Sequence, residues 1–220
     1  DPAFGKIKGK IITTTIGGAV STTTYNYDDA LTKLLTSTVF YDDVEKNDIT
    51  TTYVYDAYKR LSTTNEVTPY ATFFKQFTYD AFGRVFNETS NASANGKSSN
   101  KTIQNTYKNG QPWQIIDVAS SKVLWETKTV NARGQLTTAT LGNTIAITNS
   151  YDPNGYINTM KHDLGIVNVM NHQTNFDAQR GNLLNRTNSF FGQKETFDYD
   201  SQDRLTTITA DVPLVYNTFS

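Results

Sequence analysis

Near-copies of one short motif recur down this chain: "YDAYKRL" from Tyr55, "YDAFGRV" from Tyr79, "NARGQL" from Asn131, "YDPNGYI" from Tyr151, "FDAQRGNL" from Phe176 and "YDSQDRL" from Tyr199. Aligned on the position held by tyrosine, the anchors are Tyr27, Tyr55, Tyr79, Tyr107, Val130, Tyr151, Phe176 and Tyr199. Their intervals run from 21 to 28 residues, with a mean near 24.6. Six anchors are followed by Asp: Asp28, Asp56, Asp80, Asp152, Asp177 and Asp200. The opening "DPAFGKI" is a ninth copy without its aromatic residue, with Asp1 and Gly5 at the motif positions. A period of this length identifies a repeat architecture, in which each unit buries its faces mainly against its neighbours.

The residue types of one copy define its conformation. In "FTYDAFGRVFNET", Phe77, Tyr79, Val85 and Glu88 flank a tight turn. Asp80 suits the first turn position, where its carboxylate accepts a backbone N–H two residues on. Gly83 suits a position with positive φ. A type I turn closed by a left-handed residue is a common hairpin loop. Each copy therefore reads as a β-hairpin in which Tyr79 ends one strand, Val85 starts the next, and Arg84 lies near Asp80. Gly5, Gly83, Gly134 and Gly155 hold the left-handed position; Asp203, next to Arg204, and Lys59 replace it in two copies. The copies at Tyr27, Tyr107 and Phe176 lack or shift their glycine, so their loops are expected to differ in length or type.

Between the motifs, segments such as "TKTVNARG" and "NTIAITNSYDPNG" alternate with period 2, and no sustained helical stripe is present. Threonine and the aromatics, at 12% of the chain, favour strands, while Asn, Asp and Gly favour turns. The polar stretch from Asn87 to Thr102 reads as an exposed loop. The expected fold is all-β, one array of tandem hairpins over 1–220 without an internal domain boundary. Both ends fall inside the repeat pattern, so the chain reads as an excerpt of a much longer one.

Composition removes several function classes. The formal net charge is −1 without a basic cluster, so a nucleic-acid partner is not expected. There is no cysteine, which excludes disulfides and thiolate metal sites. No apolar run approaches the roughly 18 residues of a membrane-spanning helix. His162 and His172, with Asp163 beside the first, lack the further ligands a metal would need. The repeated aspartates are explained as turn formers, and no nucleophile elbow or phosphate-cradling glycine loop is present. The chain is therefore expected not to be an enzyme and to need no cofactor. Trp113 and Trp125 are the candidates for an aromatic surface that could stack on carbohydrate, although cross-strand packing explains most of the aromatics. Sequons at Asn87, Asn91, Asn100 and Asn185 follow from composition.

The set of motifs from "DPAFGKI" to "YDSQDRL" resembles the YD repeat of the Rhs proteins, of the shell-forming B and C components of insecticidal toxin complexes, and of animal teneurins. The resemblance covers essentially the whole chain. It implies a long β-sheet spiralling into a hollow shell that encloses a C-terminal toxic domain, with neighbouring repeats of the same parent protein and that cargo as partners. In other members it implies an extracellular scaffold for adhesion. The family's self-cleaving aspartyl site is faintly similar to "YDPNGYI", which the repeat register explains better. A secreted or cell-surface bacterial protein is the expected setting.

Overall fold

In the computed structural model, residues 9–28 and 32–211 are described; the motif copy carrying Asp1 and Gly5 lies outside them. The chain divides into two compact units, one of residues 1–105 with 117–121, the other of 106–116 with 122–220.

The first unit holds β1 (Gly9–Ile16), β2 (Ala19–Tyr27), β3 (Leu35–Asp42), β4 (Asn47–Tyr55), β5 (Leu61–Val67), β6 (Thr72–Tyr79) and β7 (Val85–Ala94). The strands β8 (Lys97–Lys108) and β9 (Gln111–Asp117) contribute residues to both units. The second unit continues with β10 (Lys122–Val130), β11 (Leu136–Leu141), β12 (Ala146–Tyr151), β13 (Ile157–Leu164), β14 (Val167–Phe176), β15 (Leu183–Asn188), β16 (Gln193–Tyr199) and β17 (Leu205–Asp211). Among the described residues there is no helix, and within each unit strands adjacent in sequence pair antiparallel. This is the all-β, tandem-hairpin fold expected from the period.

Asn87–Thr102, expected to be an exposed loop, is instead the paired strands β7 and β8. They are joined by Asn95-Gly96 at φ +50° and +71°, and the ladder runs from Asn87↔Gln104 to Ala94↔Lys97. Small polar residues hid the alternation. The Asn-Gly pair, a strong signal for a two-residue hairpin, was the clue available. The cross-strand hydroxyl pair Thr89–Thr102, at 2.9 Å, supplies part of what apolar packing does elsewhere.

A second regularity is a one-residue bulge immediately after seven of the motif loops. Tyr79 pairs with Val85 but Thr78 with Asn87, leaving Phe86 over. The same step leaves Thr36, Ser62, Thr137, Asn158, Leu184 and Thr206 unpaired. A bulge at a fixed place bends and twists its strand locally, so its repetition gives successive hairpins the same local bend.

The register sorts the side chains of the second unit onto two unlike faces. The face of the anchors carries Leu136, Ala139, Ile147, Tyr151, Met160, Met170, Leu183, Phe197 and Tyr199, interspersed with polar residues such as Asn149, His162, His172, Arg186 and Glu195. The opposite face carries Thr138, Thr148, Thr159, Lys161, Asn185, Thr187, Thr196 and Thr207. Ala139, at 2% exposure, is the buried hydrophobic residue among those described, and Asp117 the buried charge. Asp117 is held by Lys101 Nζ and Ser120 Oγ, each at 2.6 Å. Most anchor-face side chains are half-buried, as expected of a sheet layer whose neighbours along the array supply its packing.

Candidate functional site

The motif loops are built by their first residue. Asp80 Oδ1 accepts the N–H of Phe82 and of Arg84, both at 2.9 Å, while Oδ2 receives Arg84 Nε at 2.8 Å and Nη2 at 2.7 Å. Two backbone bonds close the loop, Asp80 N–H to the Arg84 carbonyl and Gly83 N–H to the Asp80 carbonyl. One carboxylate thus satisfies the inward-pointing donors of a whole turn and orients the guanidinium. Asp56 with Arg60, and Asp200 with Arg204, repeat the arrangement. Asp152 accepts from Asn154 and Tyr156 in the same way, without an arginine. In the copy at Asn131 the pair is replaced by amides: Asn131 Oδ1 takes the N–H of Arg133 and Gln135, and its Nδ2 donates to Gln135 Oε1 at 2.8 Å.

Loop length varies as expected. Asp177 N–H reaches the Asn182 carbonyl, one residue further than usual, with Gly181 at φ +76°. Asp28 N–H reaches Leu34, with Lys33 at φ +48° and the Thr32 hydroxyl on the Asp28 carboxylate. At Tyr107 the strand runs on to Lys108, and Asn109-Gly110, at φ +52° and +78°, makes a two-residue turn. Gly83, Gly134 and Gly155 have φ of +79°, +76° and +95°; Lys59 and Asp203 hold the same conformation at +63° and +60°.

The carboxyls of Asp56, Asp80, Asp177 and Asp200 sit below their ordinary range. For Asp56 and Asp80, desolvation at the turn opposes ionisation. It is outweighed together by the backbone N–H of Arg60 or Arg84, the guanidinium, and the N–H of Tyr58 or Phe82. For Asp177 the backbone N–H of Arg180 and Gln179 lower it, and for Asp200 the N–H and guanidinium of Arg204.

Contacts between successive loops went unseen in the sequence. The anchor hydroxyl of each tyrosine below crosses to the preceding repeat and donates to the carbonyl of the residue that opens its strand. These bonds are Tyr55 to Leu35 (2.9 Å), Tyr79 to Leu61 (2.6 Å), Tyr151 to Leu136 (2.9 Å) and Tyr199 to Leu183 (3.0 Å). Where Phe176 lacks the hydroxyl, Thr174 Oγ1 takes the Ile157 carbonyl at 2.6 Å, and the Phe176 ring stacks on Tyr156 with centroids 5.1 Å apart. In three of the loops the closing residue also reaches forward. Arg60 lies 4.1 Å above the Tyr79 ring, Gln135 Nε2 donates to the Gly155 carbonyl at 2.8 Å, and Asn182 Nδ2 to Asp203 Oδ1 at 2.8 Å. A signal was available in the aromatic identity of the anchor, but its partner lies 15 to 20 residues away.

The candidate aromatic pair is not brought together in one site. Trp113 lines a cleft of about 340 Å³ with Lys108 Nζ 5.4 Å from its ring centroid; Trp125 does not line it. His162 and His172 lie on neighbouring strands, opposite Met170 and Met160 respectively. Among the described residues no three His, Asp or Glu side chains converge as metal ligands, and no helix is long and apolar enough to cross a membrane.

Fold and loops together define a β-hairpin repeat protein whose turns are tied one to the next. No protein-family model matches the chain, and no curated protein matches it. Among solved structures it is similar to chains in crystal structures of TcdB2-TccC3-Cdc42 (13% identity, TM-score 0.39) and of TcdB2-TccC3 without hypervariable C-terminal region (14% identity, TM-score 0.42). The alignments cover 93% and 90% of this chain but 16% and 13% of those chains, so it spans about a sixth of their length or less.

Proposed function

We propose that this chain is a wall segment of a secreted bacterial shell of YD repeats, which encloses and protects a polypeptide cargo, and that it acts by structure rather than by catalysis. The observation that supports this most is the tying of four repeats, through Tyr55, Tyr79, Tyr151 and Tyr199, to the repeat before each. A tyrosine hydroxyl that completes its hydrogen bond on the preceding repeat makes those units components of an extended surface. The two unlike faces of the second unit suit a wall with different surroundings on its two sides.

The test is the intact mass and both terminal sequences of the protein from its native source, followed by limited proteolysis. A much longer chain that yields a protected, non-repeat fragment supports the shell. A native product of this length that yields no protected fragment overturns it. A second reading, an exposed module that binds carbohydrate or protein, has the Trp113 cleft in its favour. Glycan-array binding by the native protein, lost in Trp113→Ala, would select it.

A further inference from the structure

At Tyr55, Tyr79, Tyr151, Phe176 and Tyr199 the anchor side chain reaches the preceding repeat. The Tyr79 ring sits beneath Arg60 and bonds the Leu61 carbonyl; the Phe176 ring lies on Tyr156. At Val130 the ring is missing. Two contacts of the arrangement are kept, although the preceding loop is the two-residue Asn109-Gly110 turn and the strand before Val130 carries a further register shift. Gln111 Nε2 would lie 3.5 Å from a Cβ placed on Gly134, as Arg60 Nη1 would from one on Gly83. The carbonyl of Pro112 receives the Thr127 hydroxyl at 2.9 Å, much as Thr174 serves the step at Phe176.

The cleft of about 340 Å³ lies at this step. Gln111, Pro112 and Val130, the counterparts of Arg60, Leu61 and Tyr79, line it together with Lys108, Trp113 and Thr129. Val130 is 42% exposed. At the next step a cleft of about 500 Å³ remains beside Tyr151, whose hydroxyl already holds the Leu136 carbonyl and whose ring is the one aromatic in that lining; the step at Val130 differs in having the Trp113 indole in its lining.

We infer that the step at Val130 is a binding slot for a flat aromatic group bearing a hydroxyl, the chemistry of a tyrosine side chain or a small phenol. The volume is at the low end for a ligand pocket and suits about one ring with a substituent. The Trp113 indole offers a stacking face and the Lys108 ammonium a cation, while the Gln111 amide and the Asn109 side chain can pair with the hydroxyl. This inference is independent of the shell reading.

The test is titration of the protein with p-cresol, the tyrosine side-chain analogue, read by backbone amide NMR shifts and Trp fluorescence. Saturable shifts confined to 108–113 and 126–130 are expected, with Trp113 emission perturbed and Trp125 emission unchanged. Val130→Tyr, which fills the slot from within, should weaken binding at least about tenfold. Val130→Phe serves if the first variant does not fold. The saturated analogue 4-methylcyclohexanol should not compete. N-acetyl-tyrosinamide binding at least as tightly as p-cresol would identify a polypeptide side chain as the source; binding of p-cresol alone would identify a small phenol. Unsaturable shifts, or equal binding by the filled variant, would overturn the slot.

Discussion

The phenolic hydroxyl of Tyr79 donates to the main-chain carbonyl of Leu61 at 2.6 Å, across 18 residues of sequence and from one repeat to the one before. The bond caps a carbonyl at the start of β5 while the ring is covered by Arg60. Tyr79→Phe keeps the ring and removes only the hydroxyl. It should cost about 1 kcal/mol, the net worth of a typical internal hydrogen bond, measured by chemical denaturation. An unchanged midpoint would mean that the ring alone ties the repeats.

The step at Phe176 makes the complementary case. There Thr174 Oγ1 supplies the missing bond to Ile157. Thr174→Val should therefore destabilise by about 1 kcal/mol. The double variant Thr174→Val with Phe176→Tyr should recover most of that loss by restoring the tyrosine arrangement, and a loss that persists in it would refute the equivalence of the two hydroxyls.

The amide version of the loop can be exchanged for the ionic one. Asn131→Asp alone sets a carboxylate against Gln135, whose Nε2 is already given to Gly155. Gln135→Arg alone loses that bond and gains no carboxylate. Together they recreate the pair seen at Asp80 and Arg84. A double-mutant cycle should show favourable coupling of about 0.5 kcal/mol or more; additivity would mean the two side chains act separately.

The lowered loop carboxyls fix a pH dependence. A group whose folded pKa is depressed contributes stability above its unfolded pKa, near 4 for Asp, and loses it as pH falls through the folded value. Asp56, Asp80, Asp177 and Asp200 all lie below the ordinary range. Thermal stability should therefore decline as pH drops below about 4. Asp80→Asn should flatten that decline while lowering the midpoint at pH 7. A decline of equal slope in the Asn variant would place its origin elsewhere.

Backbone conformation gives a test of opposite signs. Gly83→Val and Gly155→Val force a β-branched residue to φ +79° and +95° and should each destabilise by about 1 kcal/mol or more. At Gly155 the new Cβ would also stand 2.6 Å from Arg133 Nη1, so that side chain must move. Lys59→Gly relieves a lysine held at φ +63° and should stabilise by about 0.5 kcal/mol, after the entropy glycine adds to the unfolded chain. Equal melting temperatures across the series would reject the left-handed assignment.

The loops were legible in the sequence because their physics is local. Asp80, Gly83 and Arg84 interact within five residues, so spacing and residue type are enough to place the hairpin and its strand ends. The same rule covers Asp203 and Lys59, which tolerate the conformation without being glycine. The strands within Asn87–Thr102 are not legible in the same way, because strand identity there rests on cross-strand neighbours such as Thr89 and Thr102 rather than on its own alternation.

Sequence by itself determined the period, the all-β class and the internal wiring of each turn, all set by contacts between residues a few positions apart. Only the tertiary structure decided what one repeat does to the next. The tyrosine-to-carbonyl bonds, the bulge after seven of the loops, the two unlike faces and the missing ring at Val130 depend on which strand lies beside which and in what register. Pairing of that kind is set by side chains about one repeat apart acting together, and no single stretch of the chain carries it.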